Sequence, residues 1–191
     1  MKIGLYFGSF NPVHNGHLII ANHFVNFSDL SQIWFVISPQ NPLKKSRALL
    51  NEQHRKHLID LSIEGENKLR TSNVEFKMPK PSYTIDTLTY LRDLYPENNF
   101  AIIMGSDSFI NINRWKNYQL LLEKYFIYIY ERPGFKMASA NANNNKLAIA
   151  KAPLLDISST RIRELIKDRK SIRYLVPDVV NAEIESHQYY Q

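Results

Sequence analysis

The stretch Gly8-Ser9-Phe10-Asn11-Pro12-Val13-His14-Asn15-Gly16-His17 combines small residues with two imidazoles spaced three positions apart. Such a set can bind and polarise a phosphate. Small side chains let the backbone approach an anion, helix-start amides donate to it, and imidazoles at that spacing can face one group. The pair does not read as a zinc site, since no cysteine and no suitably placed third ligand follows. A second set, Leu155-Asp156-Ile157-Ser158-Ser159-Thr160-Arg161-Ile162-Arg163, joins hydroxyls to an arginine. Ser158, Ser159 or Thr160 can cap a helix or hold phosphate oxygens, and Arg163, one turn in, can grip two oxygens at once. In a third, Gly105-Ser106-Asp107, the carboxylate can take two hydrogen bonds from a ribose diol, or can cap a helix through Ser108-Phe109-Ile110. Ser82-Tyr83-Thr84-Ile85-Asp86-Thr87 is a polar helix start, and Trp115 stands at the start of another helical pattern. Taken singly, each set also fits a bland role: a strand–helix turn, a capped helix with solvated arginines, a packing tryptophan.

The elements that must position these groups follow from periodicity. Short apolar runs at residues 3–7, 33–37, 74–76, 100–104 and 125–130 have the length and the β-branched or aromatic content of buried strands. Helical spacing fills residues 18–24, 51–64, 83–95 and 115–124, with Pro96 closing the third of these. A short sixth strand is expected after Ala152-Pro153-Leu154-Leu155. Two C-terminal helices should then run over about 160–168 and 177–186. Residues 138–146 are small and polar and read as a loop with no assigned role. Alternating strands and helices predict an α/β, Rossmann-like, doubly wound fold. Its sheet should be mainly parallel, with helices on both faces and a small helical C-terminal extension over about 159–191. The first and fourth strands should meet at the switch point, where phosphate-bearing ligands dock. No repeat or linker divides the 191 residues, so one domain is expected.

Composition narrows the partners. An apolar fraction of 44% supports a real core, and no uninterrupted apolar window of about 18 residues suggests a membrane span. Met1-Lys2 leads straight into a strand, so no signal peptide is expected. The absence of cysteine removes disulfides, thiolate metal sites and a cysteine nucleophile. A cytoplasmic protein is the resulting expectation. Lys and Arg outnumber Asp and Glu 24 to 18, giving +6, which favours anionic ligands without choosing among them. Lys44-Lys45-Ser46-Arg47 and the span from Arg161 to Arg173 suit a small phosphorylated ligand, and no nucleic-acid partner is expected.

Together the motifs resemble one family. The stretch ending His14-Asn15-Gly16-His17 is similar to the (H/T)xGH signature of the nucleotidyltransferase superfamily. Ile157-Ser158-Ser159-Thr160-Arg161-Ile162-Arg163 is similar to its ISSTxIR signature. Ser82 to Leu88, Gly105-Ser106-Asp107 with Trp115 eight residues on, Arg132-Pro133-Gly134 and Tyr174-Leu175-Val176-Pro177 add a finer match. That set resembles the bacterial nicotinate-nucleotide adenylyltransferases over residues 2 to about 184. Departures are small. Ser9 and Asn11 stand where the family often has Thr and Asp, and Asn41-Pro42-Leu43-Lys44 replaces a Pro-Pro-His-Lys segment. Leu43 thus takes the place of an imidazole, while Lys44 is kept.

The resemblance implies adenylyl transfer from ATP to nicotinate mononucleotide, giving deamido-NAD and pyrophosphate in NAD biosynthesis. It implies His14 and His17 as the catalytic pair around the α-phosphate. Gly8, Ser9, Phe10, Lys44, Gly105, Asp107, Ser158, Thr160 and Arg163 would complete the ATP site. Ser9 and Phe10 would also hold the acceptor phosphate through their amides, and Thr84, Trp115 and Lys116 would form the nicotinate pocket. Magnesium would enter on the ATP phosphates, with no metal ligand from the protein. The oligomeric state, monomer or homo-oligomer, is left open. Three alternatives remain: a related transferase using nicotinamide mononucleotide or phosphopantetheine, a cytidylyltransferase, and a nonenzymatic nucleotide sensor. The Ser82 to Leu88 and Trp115 motifs weigh against other acceptors, the later signatures fit adenylyl enzymes better, and intact His14, His17 and Arg163 weigh against a sensor.

Overall fold

A computed structural model of the protein describes residues 1–40, 49–135, 146–153 and 155–191. Lys44, Leu43 and positions 138–145 of the expected loop lie outside the described residues. Six strands form one sheet: β1 (Lys2–Gly8), β2 (Gln32–Ile37), β3 (Leu69–Ser72), β4 (Asn99–Gly105), β5 (Phe126–Tyr130) and β6 (Leu147–Ala150). Their order is β3-β2-β1-β4-β5-β6, and every pairing is parallel. The chain builds outward from β1 in one direction, then from β4 in the other. This is the doubly wound arrangement, with its crevice between β1 and β4.

Side-chain alternation sends each strand's residues to two separate layers. Ile3 and Leu5, Trp34 and Val36, Phe100, Ile102 and Met104, and Ile127 and Ile129 face one way. They pack against α3 (Thr84–Leu94) and α5 (Tyr118–Lys124) through Ile85, Leu88, Leu91 and Leu121. Tyr6, Ile33, Phe35, Ile37, Ala101, Ile103, Tyr128 and Tyr130 face the other way. There they meet α1 (Asn15–Phe27), α2 (Glu52–Ser62), α6 (Ser159–Lys167) and α7 (Asp178–Ser186). Burial on both faces explains why the central strands read as continuous apolar runs.

Three expectations need correction. The third strand is Leu69–Ser72, not residues 74–76; Val74–Lys77 forms a 3-10 turn. The edge strand pairs only with β2 and is half-buried, so it needs no apolar run. Val74-Glu75-Phe76 is too short for its spacing to tell a strand from a turn. The helix expected from Trp115 begins only at Tyr118, because Asn117 adopts a left-handed backbone with φ 51°. Ahead of it, Ile112–Arg114 forms a 3-10 turn that Trp115 closes by donating its N–H to the Ile112 carbonyl at 2.9 Å. The sixth strand lies at Leu147–Ala150, before the Ala152-Pro153 step instead of after it. Among the described residues no helix is long and apolar enough to cross a membrane.

Candidate active site

The carboxyl end of β1 delivers the first group of site residues. Gly8 is required by packing: a Cβ there would come within 2.8 Å of the Phe10 ring. Phe10 itself holds a left-handed backbone, φ 45°, and buries its ring edge-on to Tyr6 and His17. The turn is clamped from behind. Arg55 on α2 donates through Nη1 to the carbonyls of Ser9 at 2.5 Å and Ser38 at 2.9 Å, and through Nε to Leu50 at 2.8 Å. In a planar trans peptide the C=O and the following N–H point in opposite directions, so seating the Ser9 carbonyl on Arg55 turns the Phe10 amide away from it. Arg163 Nη1 holds the carbonyl of Asn11, two residues on, at 2.7 Å, and the Asn11 side chain accepts from the Leu50 amide at 3.1 Å.

The two histidines stand at the start of α1. His14 is its N-cap and His17 its third helical residue, with ring centroids 3.7 Å apart in a stack. The His14 amide donates to His17 Nδ1 at 3.3 Å. That acceptor role puts the proton of a neutral His17 ring on Nε2, a donor. His14 is buried, and its Nδ1 has no hydrogen-bond partner among the described residues. Burial, reinforced by the nearby positive Arg132, lowers its pKa from 6.5 to about 3. His14 is therefore neutral at physiological pH.

This depressed pKa has a consequence for stability. An unfolded histidine takes up its proton near pH 6.5, whereas folded His14 resists until about pH 3. The stability carried by neutral His14 is thus present above pH 6.5 and is lost as the pH falls toward 3. Urea midpoints of wild type and His14→Gln, measured from pH 7 to pH 4, should show the wild type falling more steeply. Equal slopes would mean that His14 titrates as an ordinary exposed histidine.

The carboxyl ends of β4 and β5 form the opposite wall. A Cβ on Gly105 would collide with the Asp107 carboxylate and lie 3.0 Å from Arg132 Nε. Gly105, and not Asp107, caps the short α4 (Ser106–Phe109). Asp107 is left with Oδ1 buried, 3.4 Å from Arg132 Nε and without a hydrogen bond among the described residues. Arg132 Nη2 donates to the Tyr130 hydroxyl at 3.1 Å, which in turn lies 3.1 Å from the Tyr6 hydroxyl. Burial opposes the charge on Arg132, but Tyr130 and Asp107 together hold its pKa above the ordinary value. The site therefore has a permanent cation at the Asp107 wall.

Two further helix starts complete the cleft. Ser158 caps α6, its hydroxyl accepting from the Arg161 amide at 3.2 Å, and Thr160 accepts from Arg163 Nη2 at 3.3 Å. Arg163 thus rests between Thr160 and the β1 turn. At the start of α3, the Asp86 and Thr87 amides donate to the Tyr83 carbonyl at 3.0 and 3.1 Å, which leaves those of Thr84 and Ile85 as the helix-start donors. Lys116 beside them pairs with Asp86 at 2.8 Å and lies over the Tyr83 ring at 5.0 Å.

One cleft of about 1280 Å³ gathers Gly8, Ser9, Phe10, His14, His17, Thr84, Gly105, Asp107, Trp115, Lys116, Ser158, Thr160 and Arg163. Every expected site residue among the described residues lines it. Sequence reasoning missed the Tyr6–Tyr130–Arg132 chain and the buried Arg55. Arg132 stood in a quoted motif without a role. Arg55 sits in a polar helix stretch, where an arginine ordinarily reads as solvated.

Residues 5–165 match the cytidylyltransferase-like family. The chain is 48% identical over 190 residues to the "probable nicotinate-nucleotide adenylyltransferase" of Cytophaga hutchinsonii, covering 100% of this chain and 98% of that one. It is 47% identical to the protein of the same name from Flavobacterium psychrophilum, with complete coverage of both. Among solved structures it superposes with a TM-score of 0.86 on Plasmodium falciparum nicotinic acid mononucleotide adenylyltransferase complexed with NaAD. That match is at 23% identity and covers 99% of this chain and 97% of the other; it supports the fold.

Proposed function

The chain belongs to the nicotinate-nucleotide adenylyltransferases of the cytidylyltransferase-like family, and from that premise we propose how its own residues perform the reaction. The enzyme transfers the adenylyl group of ATP to nicotinate mononucleotide, a step of NAD biosynthesis. A phosphate oxygen of the mononucleotide forms a bond to the α-phosphorus of ATP. The α–β bridge bond breaks, and pyrophosphate leaves with its electron pair. The attacking phosphate is already ionised near neutral pH, so no protein base is required. What remains for the protein is positioning and stabilisation of charge.

The observation that carries this assignment of roles is the stacked His14–His17 pair, set between the clamped β1 turn and Arg163. His17 Nε2–H meets charge on the α-phosphate. Neutral His14 packs against it and fixes its ring. The amides of Ser9 and Phe10, beside Gly8, receive the attacking phosphate. Ser158, Thr160 and Arg163 take the β- and γ-phosphates, and Lys44 adds a further cation. For this Arg163 must exchange the Asn11 carbonyl for phosphate oxygens. Asp107, with Gly105 leaving room beside it, receives the adenosine ribose. Magnesium bound to ATP would offset phosphate charge, with no carboxylate ligand required from this chain. The cleft's own carboxylates are engaged elsewhere, Asp107 by Arg132 and Glu75 by the hydroxyls of Ser82 and Thr87.

The nicotinate ring is placed on Trp115, with its carboxylate at the main-chain amides of Thr84 and Lys116. Amides welcome a carboxylate and face the NH2 of nicotinamide with a donor against a donor. Pyrophosphate release from ATP should therefore require a mononucleotide. Wild type should prefer nicotinate over nicotinamide mononucleotide by at least about tenfold in kcat/KM, which is ~1.4 kcal/mol. Trp115→Ala should weaken both acceptors and keep their ratio. Release without any mononucleotide, or equal kcat/KM for the two, would overturn the acceptor assignment.

A further inference from the structure

Glu75 is the most deeply buried acid of the cleft, 2% exposed in the 3-10 turn that follows β3. No lysine or arginine among the described residues forms a salt bridge with it. Hydroxyls hold it instead. Ser82 donates to Oε2 at 2.5 Å and Thr87 to Oε1 at 2.8 Å. These donors come from the segment before α3 and from the first turn of α3 itself. The Thr87 hydroxyl also lies 3.2 Å from the Tyr83 carbonyl, so its one proton sits between the carboxylate and the residue preceding Thr84. The start of α3 has no side-chain cap of its own. Its placement against the cleft depends on the acid behind it.

We propose that Glu75 is a positioning residue for acceptor choice: by holding Ser82 and Thr87 it aims the first amides of α3 at the carboxylate of the pyridine ring. The proposal rests on the acceptor reading above. Two carboxylate oxygens accept from two hydroxyls with no donor left over. A carboxamide in the same space accepts at one end only; opposite its NH2 a hydroxyl must turn its proton away and accept instead, and both charge-assisted bonds are replaced by weaker neutral ones. The amides at Thr84 would then lose their fixed direction. Discrimination between a carboxylate and an amide needs that direction, since a misdirected donor accepts either group. The triphosphate residues lie on other segments, β1–α1 and α6, and do not share these bonds.

The test is steady-state kinetics of Glu75→Gln with both mononucleotides and with ATP varied separately. The expected result is a KM for nicotinate mononucleotide raised about tenfold or more, a KM for ATP within about twofold of wild type, and a nicotinate-to-nicotinamide ratio reduced several-fold. Thr87→Val should show the same split, and Thr87→Ser, which keeps the hydroxyl, should restore the ratio. If Glu75→Gln does not fold, the Thr87 pair carries the same comparison. A variant that loses thermal stability while keeping the wild-type ratio, or that raises both KM values equally, would overturn the proposal and leave Glu75 a structural acid. A wild type with no preference between the mononucleotides would instead overturn the acceptor reading itself, so the two failures are told apart.

Discussion

His17→Ala is expected to lower kcat by about a hundredfold or more while changing the KM for ATP far less. The scale is that of one preorganised donor removed from a transition state. The split follows from where the ring acts. In the proposed arrangement ground-state ATP is held mainly by the α6 groups, whereas the His17 Nε2 proton matters most as charge shifts on the α-phosphate. The structure supplies the preorganisation. The His14 amide occupies Nδ1, the His14 ring lies against one face at 3.7 Å, and Phe10 meets the ring edge-on at 5.0 Å. His17 therefore presents one defined donor without rotating. His17→Gln keeps a neutral N–H donor but not its position, and should recover only part of the loss. A folded His17→Ala enzyme with near-normal kcat would remove the residue from the catalytic machinery.

The second large effect is expected at Arg55. Its side chain is fully buried, and it is joined by hydrogen bonds to the carbonyls of Ser9, Ser38 and Leu50. No carboxylate forms a salt bridge with it among the described residues. Burial lowers its pKa, with Glu52 and the Tyr190 phenol acting in the opposite sense. Arg55→Met keeps much of the volume and deletes every donor. Three part-buried carbonyls would lose charged partners, and bonds of that kind are worth about 1.5–3 kcal/mol each before relaxation. A net loss of about 3 kcal/mol or more in urea unfolding is the expected outcome, together with a raised KM for the mononucleotide, because the Ser9 carbonyl sets the turn proposed to receive its phosphate. Arg55→Lys should recover part of this, since one ammonium cannot span three carbonyls in a fork. A loss below about 1 kcal/mol with an unchanged KM would show that the turn holds itself.

Arg55 also marks where reading the chain stops. The β1 turn, the histidine pair, the ribose carboxylate and the α6 arginine were legible because local sequence builds each of them: an apolar strand run, then small or polar residues, then a helix. The central strands were legible for a related reason, since burial on both faces leaves an unbroken apolar signature in 33–37 and 100–104. The edge strand Leu69–Ser72 carries no such signature, and the short apolar run after it misdirected the reading. Trp115 was correctly placed in the cleft but on the wrong element, because the left-handed Asn117 delays α5. Arg55 and the Tyr6–Tyr130 pair share one property. A key partner is distant in sequence, 46 residues away for the Arg55–Ser9 bond and 124 for Tyr6–Tyr130, so no local pattern announces it.

The two-layered core divides the enzyme's heritable variation as well as its side chains. The groups proposed to handle the triphosphate ride on α1 and α6, packed in one layer, and those proposed to select the acceptor ride on α3 and the turn before α5, packed in the other. Substitutions that are well separated and share no partners combine nearly additively. A lineage could therefore explore new acceptors in one layer while selection on the adenylyl-donor machinery in the other stays intact. On this view the parallel sheet acts as insulation between two evolutionary problems, and a change of substrate need not begin by damaging the chemistry.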